Sequence, residues 1–273
     1  MDLTKILELA SNSDVGRKRA HNEDSTAIDA SLGLLIIADG MGGYRAGEVA
    51  SAVAISTIMK HIRRRLPQLQ AQQIDKATGF SMESMIARDA IREANFEVYR
   101  TAQDNTQFQG MGTTALLVLF YDNHFTVAHA GDSRLYRVRD ERLEKITNDH
   151  SLIQELVDRG LYTLEEAEAK TPSNLVTRAL GINETINVDL FEDTVLPGDL
   201  FLLCTDGLTD MVDDTEIHLT LKKFSDNLNR AAQELIDLAN ARGGKDNISV
   251  VLARPTAPFP ATSGWFDKLF GTT

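Results

Sequence analysis

Two short apolar runs in this chain each end in an Asp-Gly pair, and this repeated arrangement constrains the fold more than any other feature. Residues 32–38 read LGLLIIA before Asp39-Gly40, and residues 200–205 read LFLLCT before Asp206-Gly207. Runs of this length and composition predict buried strands, and Asp-Gly predicts a turn at the end of each. We therefore expect two core strands that deliver carboxylates to one edge of a sheet.

Further apolar segments predict more strands and an antiparallel hairpin. Residues 113–121 and 124–130 are rich in β-branched, aliphatic and aromatic side chains and flank the turn-forming pair Asp122-Asn123. Residues 134–138 and 248–253 are further strand candidates. Because strands and helices do not alternate one for one, antiparallel sheets covered by helices fit the chain better than a parallel doubly wound sheet.

Helical periodicity appears in three stretches of the chain. Residues 46–62 and 82–102 each carry one stripe of small and aliphatic side chains, which suits close packing on a flat sheet. A third helix is predicted to begin at a cap on Ser225 and to stop at Gly243-Gly244. We expect these helices to lie on the faces of the predicted sheets.

The domain limits follow from the segments between these elements. Ser151 and Thr163 each begin a capping-box pattern, and the two short helices that they predict form a flap over about residues 151–181. We expect this flap to belong to a single domain over residues 1–254, since no linker or repeat divides the chain. A tail over residues 255–273 ends in an aromatic cluster, which we expect to dock onto the domain.

The bulk composition excludes several classes of function. The formal net charge of −12 argues against nucleic acid or an anionic membrane as a partner. The single cysteine, Cys204, excludes an internal disulfide framework and a multi-cysteine zinc site. The chain shows neither a signal-peptide pattern nor an apolar segment long enough to span a bilayer. We expect a cytoplasmic protein that is a monomer.

Acidic residues recur in short motifs along the chain. Besides Asp39 and Asp206, they are Glu23, Asp24, Asp132, Asp210 and Asp246. An isolated Asp-Gly pair is ordinarily a turn, but ionised carboxylates that meet in one cleft repel each other unless a cation compensates them. Oxygen ligands of this kind favour magnesium or manganese over zinc.

Eight short motifs follow one another along the chain: SDVGRKRAHNED (13–24), IADGMGG (37–43), MGTT (111–114), AGDSR (130–134), DHS (149–151), TRALG (177–181), LLCTDGLTD (202–210) and GGKDNISVV (243–251). In these motifs and their order the chain resembles the protein phosphatase 2C family of metal-dependent phosphatases, and particularly its compact bacterial members. The resemblance runs nearly end to end. It implies an α+β fold, a four-layer αββα sandwich of two antiparallel sheets flanked by helices, with metals at one edge.

The resemblance also implies a set of metal ligands. Two Mn²⁺ or Mg²⁺ ions occupy the core site: Asp39 bridges both, the Gly40 carbonyl joins it on one ion, and Asp206 and Asp246 hold the other. A third ion is implied at Asp132 with Asp206 and Asp210. Glu23 and Asp24 are implied to act through metal-bound water.

The implied activity is hydrolysis of phosphoserine and phosphothreonine on proteins. Arg19 corresponds to the arginine that grips the substrate phosphate, a task for which the paired donors of a guanidinium are suited. A hydroxide that bridges the two ions attacks phosphorus directly, without a phosphoenzyme. The implied partner is a phosphorylated protein, either a serine/threonine kinase with its targets or a regulator of transcription in a partner-switching pathway.

Two positions depart from the family pattern. Many eukaryotic members carry a histidine at Met41, where it is the proposed proton donor to the leaving group, and methionine has no proton to donate. Thr171 stands where relatives often have a histidine before proline. These departures leave open a second hypothesis, a phosphatase-like regulator that binds phosphoproteins with little turnover.

Overall fold

The computed structural model describes residues 3–43, 45–69, 73–172 and 175–259, and its strands form two antiparallel sheets. The strands are β1 (Leu7–Asp14), β2 (Asp24–Asp29), β3 (Leu34–Met41), β4 (Gly112–Thr113), β5 (Ala115–Tyr121), β6 (His124–Ala130), β7 (Arg134–Arg139), β8 (Arg142–Lys145), β9 (Asp189–Thr194), β10 (Leu200–Cys204) and β11 (Ile248–Pro255). One sheet has the order β1-β11-β10-β7-β8. The other has the order β2-β3-β5-β6-β9, and β4 pairs with the end of β3.

Helices cover the outer face of each sheet, and two more helices lie in the flap. They are α1 (Ala46–Arg65), α2 (Met82–Asp104), α3 (Leu152–Asp158), α4 (Leu164–Lys170), α5 (Asp206–Thr209), α6 (Asp214–Lys223) and α7 (Leu228–Ala241). The pair α1 and α2 packs on the sheet that contains β3, and α5 to α7 pack on the sheet that contains β10. The flap carries α3 and α4. Within the described ranges, no helix combines the length and the apolar character needed to cross a membrane.

The alternation of side chains along the central strands creates three apolar layers. In β3, Leu34 and Ile36 pack against α1 and α2, whereas Leu35 and Ile37 pack against the opposite sheet. β10 and β11 divide their side chains between the helices and the other sheet in the same way. Since successive side chains of a strand point to opposite faces, each strand serves two layers at once. The predicted α+β, αββα sandwich of two antiparallel sheets is confirmed.

The hairpin and the first two helices agree with the sequence predictions. β5 and β6 pair directly through Asp122 and Asn123, whose φ angles of 43° and 59° suit a tight two-residue connection. The helices α1 and α2 each extend a few residues beyond the predicted apolar stripes. Thr163 forms a complete capping box with Glu166, while Ser151 caps α3 only through its own side chain.

Three local predictions are wrong. Asp39-Gly40 is not a turn, because β4 pairs with Gly40 and Met41 and extends the strand through them. Asp206-Gly207 opens the short helix α5 instead of a turn. The third large helix is capped by Asn227, whose side-chain oxygen accepts the N–H of Arg230, and not by Ser225.

The domain also extends beyond the boundary predicted at residue 254. β11 runs to Pro255, and the Phe259 side chain is only 3% exposed in the layer between the sheets. Its backbone N–H donates to Asn123 Oδ1 over 2.6 Å, and its ring meets the edge of Phe120. Residues 255–259 are therefore part of the packed domain. The aromatic cluster predicted to dock, from Trp265 to Phe270, lies outside the described residues.

Candidate active site

Strand alternation brings two of the predicted carboxylates to the space between the sheets. Asp39 continues the face of β3 that carries Leu35 and Ile37, and Asp24 lies directly opposite it in the β2–β3 ladder. Both positions come where the apolar alternation ends, at one edge of the sandwich. The layer between the sheets is thus apolar in its interior and acidic at this edge.

Asp24 is held by hydroxyl groups from the opposite sheet. Its Oδ2 accepts hydrogen bonds from Ser249 Oγ at 2.6 Å and from Thr205 Oγ1 at 3.0 Å. Its Oδ1 is buried and has no hydrogen-bond partner among the described residues. Thr205 and Ser249 occupy intersheet positions at the ends of β10 and β11, and sequence reasoning missed both. A lone polar residue in the intersheet alternation of an apolar strand was the signal that could have identified them.

The backbone of Asp39 is fixed by two threonines. Its N–H donates to Thr114 Oγ1 at 2.9 Å, and its carbonyl accepts from the Thr114 N–H and the Thr113 Oγ1, each at 2.8 Å. Gly40 continues the strand and donates its N–H to the Glu23 carbonyl at 3.2 Å. These bonds restrain the main chain on both sides of the Asp39 carboxylate.

The aspartates form one electrostatically coupled group. Burial and neighbouring carboxylates raise the pKa of Asp206 to about 8 and that of Asp24 to about 7. Burial, with Asp149 and Asp210 nearby, raises the pKa of Asp132 to about 6. The pKa of Asp39 lies well above its ordinary value because the group is buried beside Asp24, Asp206, Asp132 and Asp246. Asp210, at the end of α5, is more exposed, and burial raises its pKa as well.

This donor set fits divalent cations. The buried oxygens Asp24 Oδ1 and Asp206 Oδ1 both lack a hydrogen-bond partner in the described part of the chain, so each can accept a positive charge. A cation would also offset the burial and the mutual repulsion that together raise the pKa values of these aspartates. No three of the described acidic, histidine or cysteine residues in this cluster have ligand atoms within 4.8 Å of one another. The aspartates thus spread more widely than the coordination sphere of one ion, which suits several ions with oxygen ligands.

Asn247 ties the loop before β2 to the start of β11. Its Oδ1 accepts the Glu23 N–H at 2.8 Å, and its Nδ2 donates to the carbonyls of Val15 and His21 at 3.0 and 2.9 Å. Asn247 is buried, so these bonds are shielded from water. The same loop carries Arg19, and sequence reasoning did not identify the residue that anchors it.

Arg19 lies at the mouth of the acidic cluster. Its Nη2 donates to Asp246 Oδ2 at 2.6 Å, and its side chain is 52% exposed. The side-chain hydrogen bond to Asp246 raises the Arg19 pKa, so the guanidinium stays charged. A cavity of about 570 Å³ is lined by Asp132, Asp206 and Asp210 of the cluster and by residues of the flap. Arg19 itself lines a second cavity of about 470 Å³, with Ala20, His21, Glu23, Gly42 and Arg45.

Glu23 caps a helix from a distant part of the chain. Its carboxylate accepts the Gly47 N–H in the first turn of α1, and burial raises its pKa. Gly40 and Gly47 meet so closely that a Cβ on Gly47 would lie 2.7 Å from the Gly40 carbonyl carbon and oxygen. The two glycines therefore let α1 approach β3 at Asp39, and the helix N-terminus favours the negative charge of Glu23.

The turn that holds Asp132 is braced against the base of the flap. Arg134 makes a bidentate pair with Asp149, with an Nη2–Oδ2 distance of 2.7 Å. The next residue, His150, accepts a hydrogen bond from the Gly131 N–H on its ring Nδ1 at 3.0 Å. Its backbone N–H donates to the Gly131 carbonyl at 3.1 Å. The position of Asp132 is thus connected to the segment, Asp149-His150, that directly precedes the flap.

A second group of possible metal ligands, His129, His150 and Asp189, serves a structural role. Their ligand atoms lie within 4.8 Å of one another. The two imidazole rings are stacked within 6° of parallel, however, and an ion in the plane of one ring would lie outside the plane of the other. Arg178 donates to Asp189 and approaches His150 Nε2 at 2.9 Å, so a guanidinium already supplies the positive charge there. We interpret the group as an anchor for the flap.

The chain is similar to known proteins both in sequence and in fold. A family model described as protein phosphatase 2C matches residues 16–248. The serine/threonine phosphatase Stp of Listeria monocytogenes is 36% identical over 242 residues, which cover 88% of this chain and 92% of the relative.

Solved structures give the same result. The crystal structure of the Mycobacterium tuberculosis serine/threonine phosphatase PstP/Ppp matches with a TM-score of 0.80 and 37% identity, and covers 91% of this chain and 98% of that one. The catalytic domain of PstP in complex with two manganese ions matches with a TM-score of 0.77 and 36% identity, over 91% of this chain and 98% of that one.

Proposed function

Because this chain belongs to the protein phosphatase 2C family, we propose that its acidic cluster and Arg19 together form the site that dephosphorylates proteins. The chain is a metal-dependent protein serine/threonine phosphatase, and the predicted family and reaction are confirmed. The observation that carries the assignment of the site is the coupled group of buried aspartates, two of which have buried carboxylate oxygens without a hydrogen-bond partner among the described residues.

We assign the metal ligands within this cluster by their positions. Asp39 would be shared by two ions and joined on one of them by the Gly40 carbonyl, and Asp206 and Asp246 would hold the other. Asp132, with Asp206 and Asp210, would hold a third ion beside the flap cavity. Asp24 and Glu23 would act through water. The oxygen-only donor set supports Mn²⁺ or Mg²⁺.

The bound ions and the side chains of the site would contribute differently to hydrolysis. Divalent ions at the cluster supply positive charge for the phosphoryl oxygens and lower the pKa of water. The Arg19 guanidinium presents paired donors that can orient the phosphate, and its distance of 2.6 Å from Asp246 Oδ2 places it at the edge of the cluster. Met41 follows Gly40 but has no proton to give, so the leaving oxygen takes its proton from water or another group.

The pathway, the site of action and the oligomeric state are also part of the proposal. We favour a role that opposes a serine/threonine kinase, with a partner-switching regulator as the alternative substrate. Comparison of phosphopeptides from cells with and without the protein separates the two.

Cys204 is a free, buried thiol, which supports action in the reducing cytoplasm. Light scattering tests the proposed monomer. A regulator that binds without turnover is disfavoured, since every predicted metal position is present.

The test is hydrolysis of a phosphothreonine peptide with and without Mn²⁺. Asp39→Asn should abolish metal-dependent turnover, and Asp206→Asn and Asp246→Asn should each lower the rate about 10²-fold or more, as loss of a principal electrostatic stabiliser does. Asp226→Asn, the same change at an exposed aspartate outside the acidic cluster, is the matched control. Metal-independent turnover, or full activity in Asp39→Asn, would contradict the assignment.

A further inference from the structure

Arg45 occupies an unusual place at the start of α1. It is the N-cap residue of this helix, yet its side chain makes no capping hydrogen bond, and its backbone is left-handed, with φ 74° and ψ 11°. Left-handed backbone is strained for a residue with a Cβ, and glycine adopts it freely. Neither the cap nor the backbone conformation therefore explains an arginine at this position.

The guanidinium of Arg45 has no ion-pair partner in the described part of the chain. The side chain is exposed, and it lines the same cavity of about 470 Å³ as Arg19. Gly42, which also lines this cavity, contributes no side chain to it, so the charged side chains among the described lining residues are those of Arg19, Arg45 and Glu23.

The charges around this cavity favour an anion. Arg45 supplies a positive charge without an ion-pair partner among the described residues, and Arg19 supplies a second that it shares with Asp246. Glu23, the one carboxylate among the described lining residues, accepts the Gly47 N–H of α1. The chain as a whole carries a net charge of −12, so a positive rim at this place contrasts with most of its surface. Such a local field attracts a negatively charged group of a bound chain.

We propose that Arg45 forms a subsite for an anionic side chain near the phosphorylated residue of the substrate. This inference rests on the proposed role of Arg19 in holding the target phosphate. A compact cavity of this volume is about 10 Å across, which is the reach of about three residues of extended peptide. The preferred substrate then carries an aspartate, a glutamate or a second phosphorylated residue within three positions of its phosphothreonine. Arg45 is a specificity-determining residue and takes no part in the chemical step.

The test compares phosphothreonine peptides that differ at a single flanking position. One set carries alanine, aspartate or phosphoserine at each position from one to three residues on either side of the phosphothreonine. For the wild type with Mn²⁺, the best acidic peptide should exceed its alanine counterpart roughly fivefold in kcat/KM, the scale of one exposed ion pair. A phosphoserine should give a larger ratio than aspartate if charge governs the subsite, because phosphate carries more charge.

Arg45→Gly removes the guanidinium at a position where glycine fits the backbone, so the variant should fold. Its ratio of acidic to alanine peptide should fall close to one. Arg65→Gln is the matched control, since it removes one exposed positive charge from the far end of α1, about 30 Å away, and should leave the ratio unchanged. High salt should reduce the preference of the wild type.

The outcomes separate this inference from the proposed function. If Arg45→Gly keeps the preference of the wild type, or if the wild type shows none, the subsite does not exist. If the wild type hydrolyses no peptide in Mn²⁺, the proposed function fails instead. Fluorescence anisotropy with labelled peptides then measures the same ratio as an affinity, so a loss of preference in Arg45→Gly still supports the subsite and an unchanged ratio still overturns it.

Discussion

Removal of the divalent metals should make the stability of this protein fall as the pH rises. The pKa of Asp206 is raised to about 8 and that of Asp24 to about 7, whereas both groups titrate near 3.9 in an unfolded chain. The native state then binds protons that the unfolded state has already released. A raised native pKa stabilises the protein fully below the unfolded pKa, and this contribution is lost as the pH passes through the native pKa.

The magnitude follows from the number of protons retained. Each proton held by the native state alone changes the free energy of unfolding by about 1.4 kcal/mol per pH unit. Between about pH 5 and pH 7, Asp24 and Asp206 together retain one to two such protons, which predicts a fall of about 1.4 to 2.7 kcal/mol per pH unit. Asp132, whose pKa is raised to about 6, adds to the fall at the acidic end of this range.

Urea unfolding of metal-stripped protein at about pH 5.5 and about pH 7.5 measures this slope directly. Asp206→Asn separates the local effect from general repulsion among the acidic residues, because this variant should lose part of the slope while its net charge stays negative. Mn²⁺ at 100 times its dissociation constant should stabilise the protein by about 2.7 kcal/mol. At a fixed Mn²⁺ concentration the stabilisation should grow with pH, because ionised carboxylates bind the metal more tightly. Metal-stripped protein whose stability is flat or rises over this range would refute the reasoning.

Two further predictions concern the support of the site. Gly47→Ala places a Cβ 2.7 Å from the Gly40 backbone, and it should destabilise the protein by about 1 to 3 kcal/mol in thermal unfolding, whereas Gly43→Ala, with open space around it, should not. Ser249→Ala removes the 2.6 Å bond to Asp24 and should weaken the apparent Mn²⁺ affinity about 10- to 100-fold in an activity titration. An unchanged Mn²⁺ dependence would show that Asp24 is positioned without Ser249.

Strong apolar patterns made much of the fold predictable. α1, α2, β3, β10 and the β5–β6 hairpin all have continuous or periodic apolar sequences, and all were expected. β1, β2 and β9 were not, because their sequences LELASNSD, DSTAID and DLFEDT are mixed or polar. These strands are stabilised by pairing, β1 with the distant β11, β9 with β6 and β2 with the adjacent β3, and not by a pattern of their own.

The candidate site likewise contains residues that the sequence predicts and residues that it does not. The aspartates were predictable because each lies in a short motif, and the structure gathers them into one group. The groups that hold them were not predictable. Thr205 and Ser249 reach Asp24 from the opposite sheet, and Glu23 accepts the Gly47 N–H of α1 although β2 and β3 lie between them in the sequence. Such contacts depend on the packing of elements that are far apart in sequence, which no local pattern encodes.

The alternation along β3 also determines where the length of the chain can change. Insertion of a single residue between Leu34 and Asp39 would turn the carboxylate away from the intersheet edge and toward α1, and would carry Gly40 away from Gly47. Insertion of two residues would restore the direction but displace the carboxylate by about 7 Å along the strand. The number of residues between the core position Leu34 and the carboxylate of Asp39 therefore cannot change without loss of the site. Variants of this enzyme can gain residues in the flap far more readily than in β3.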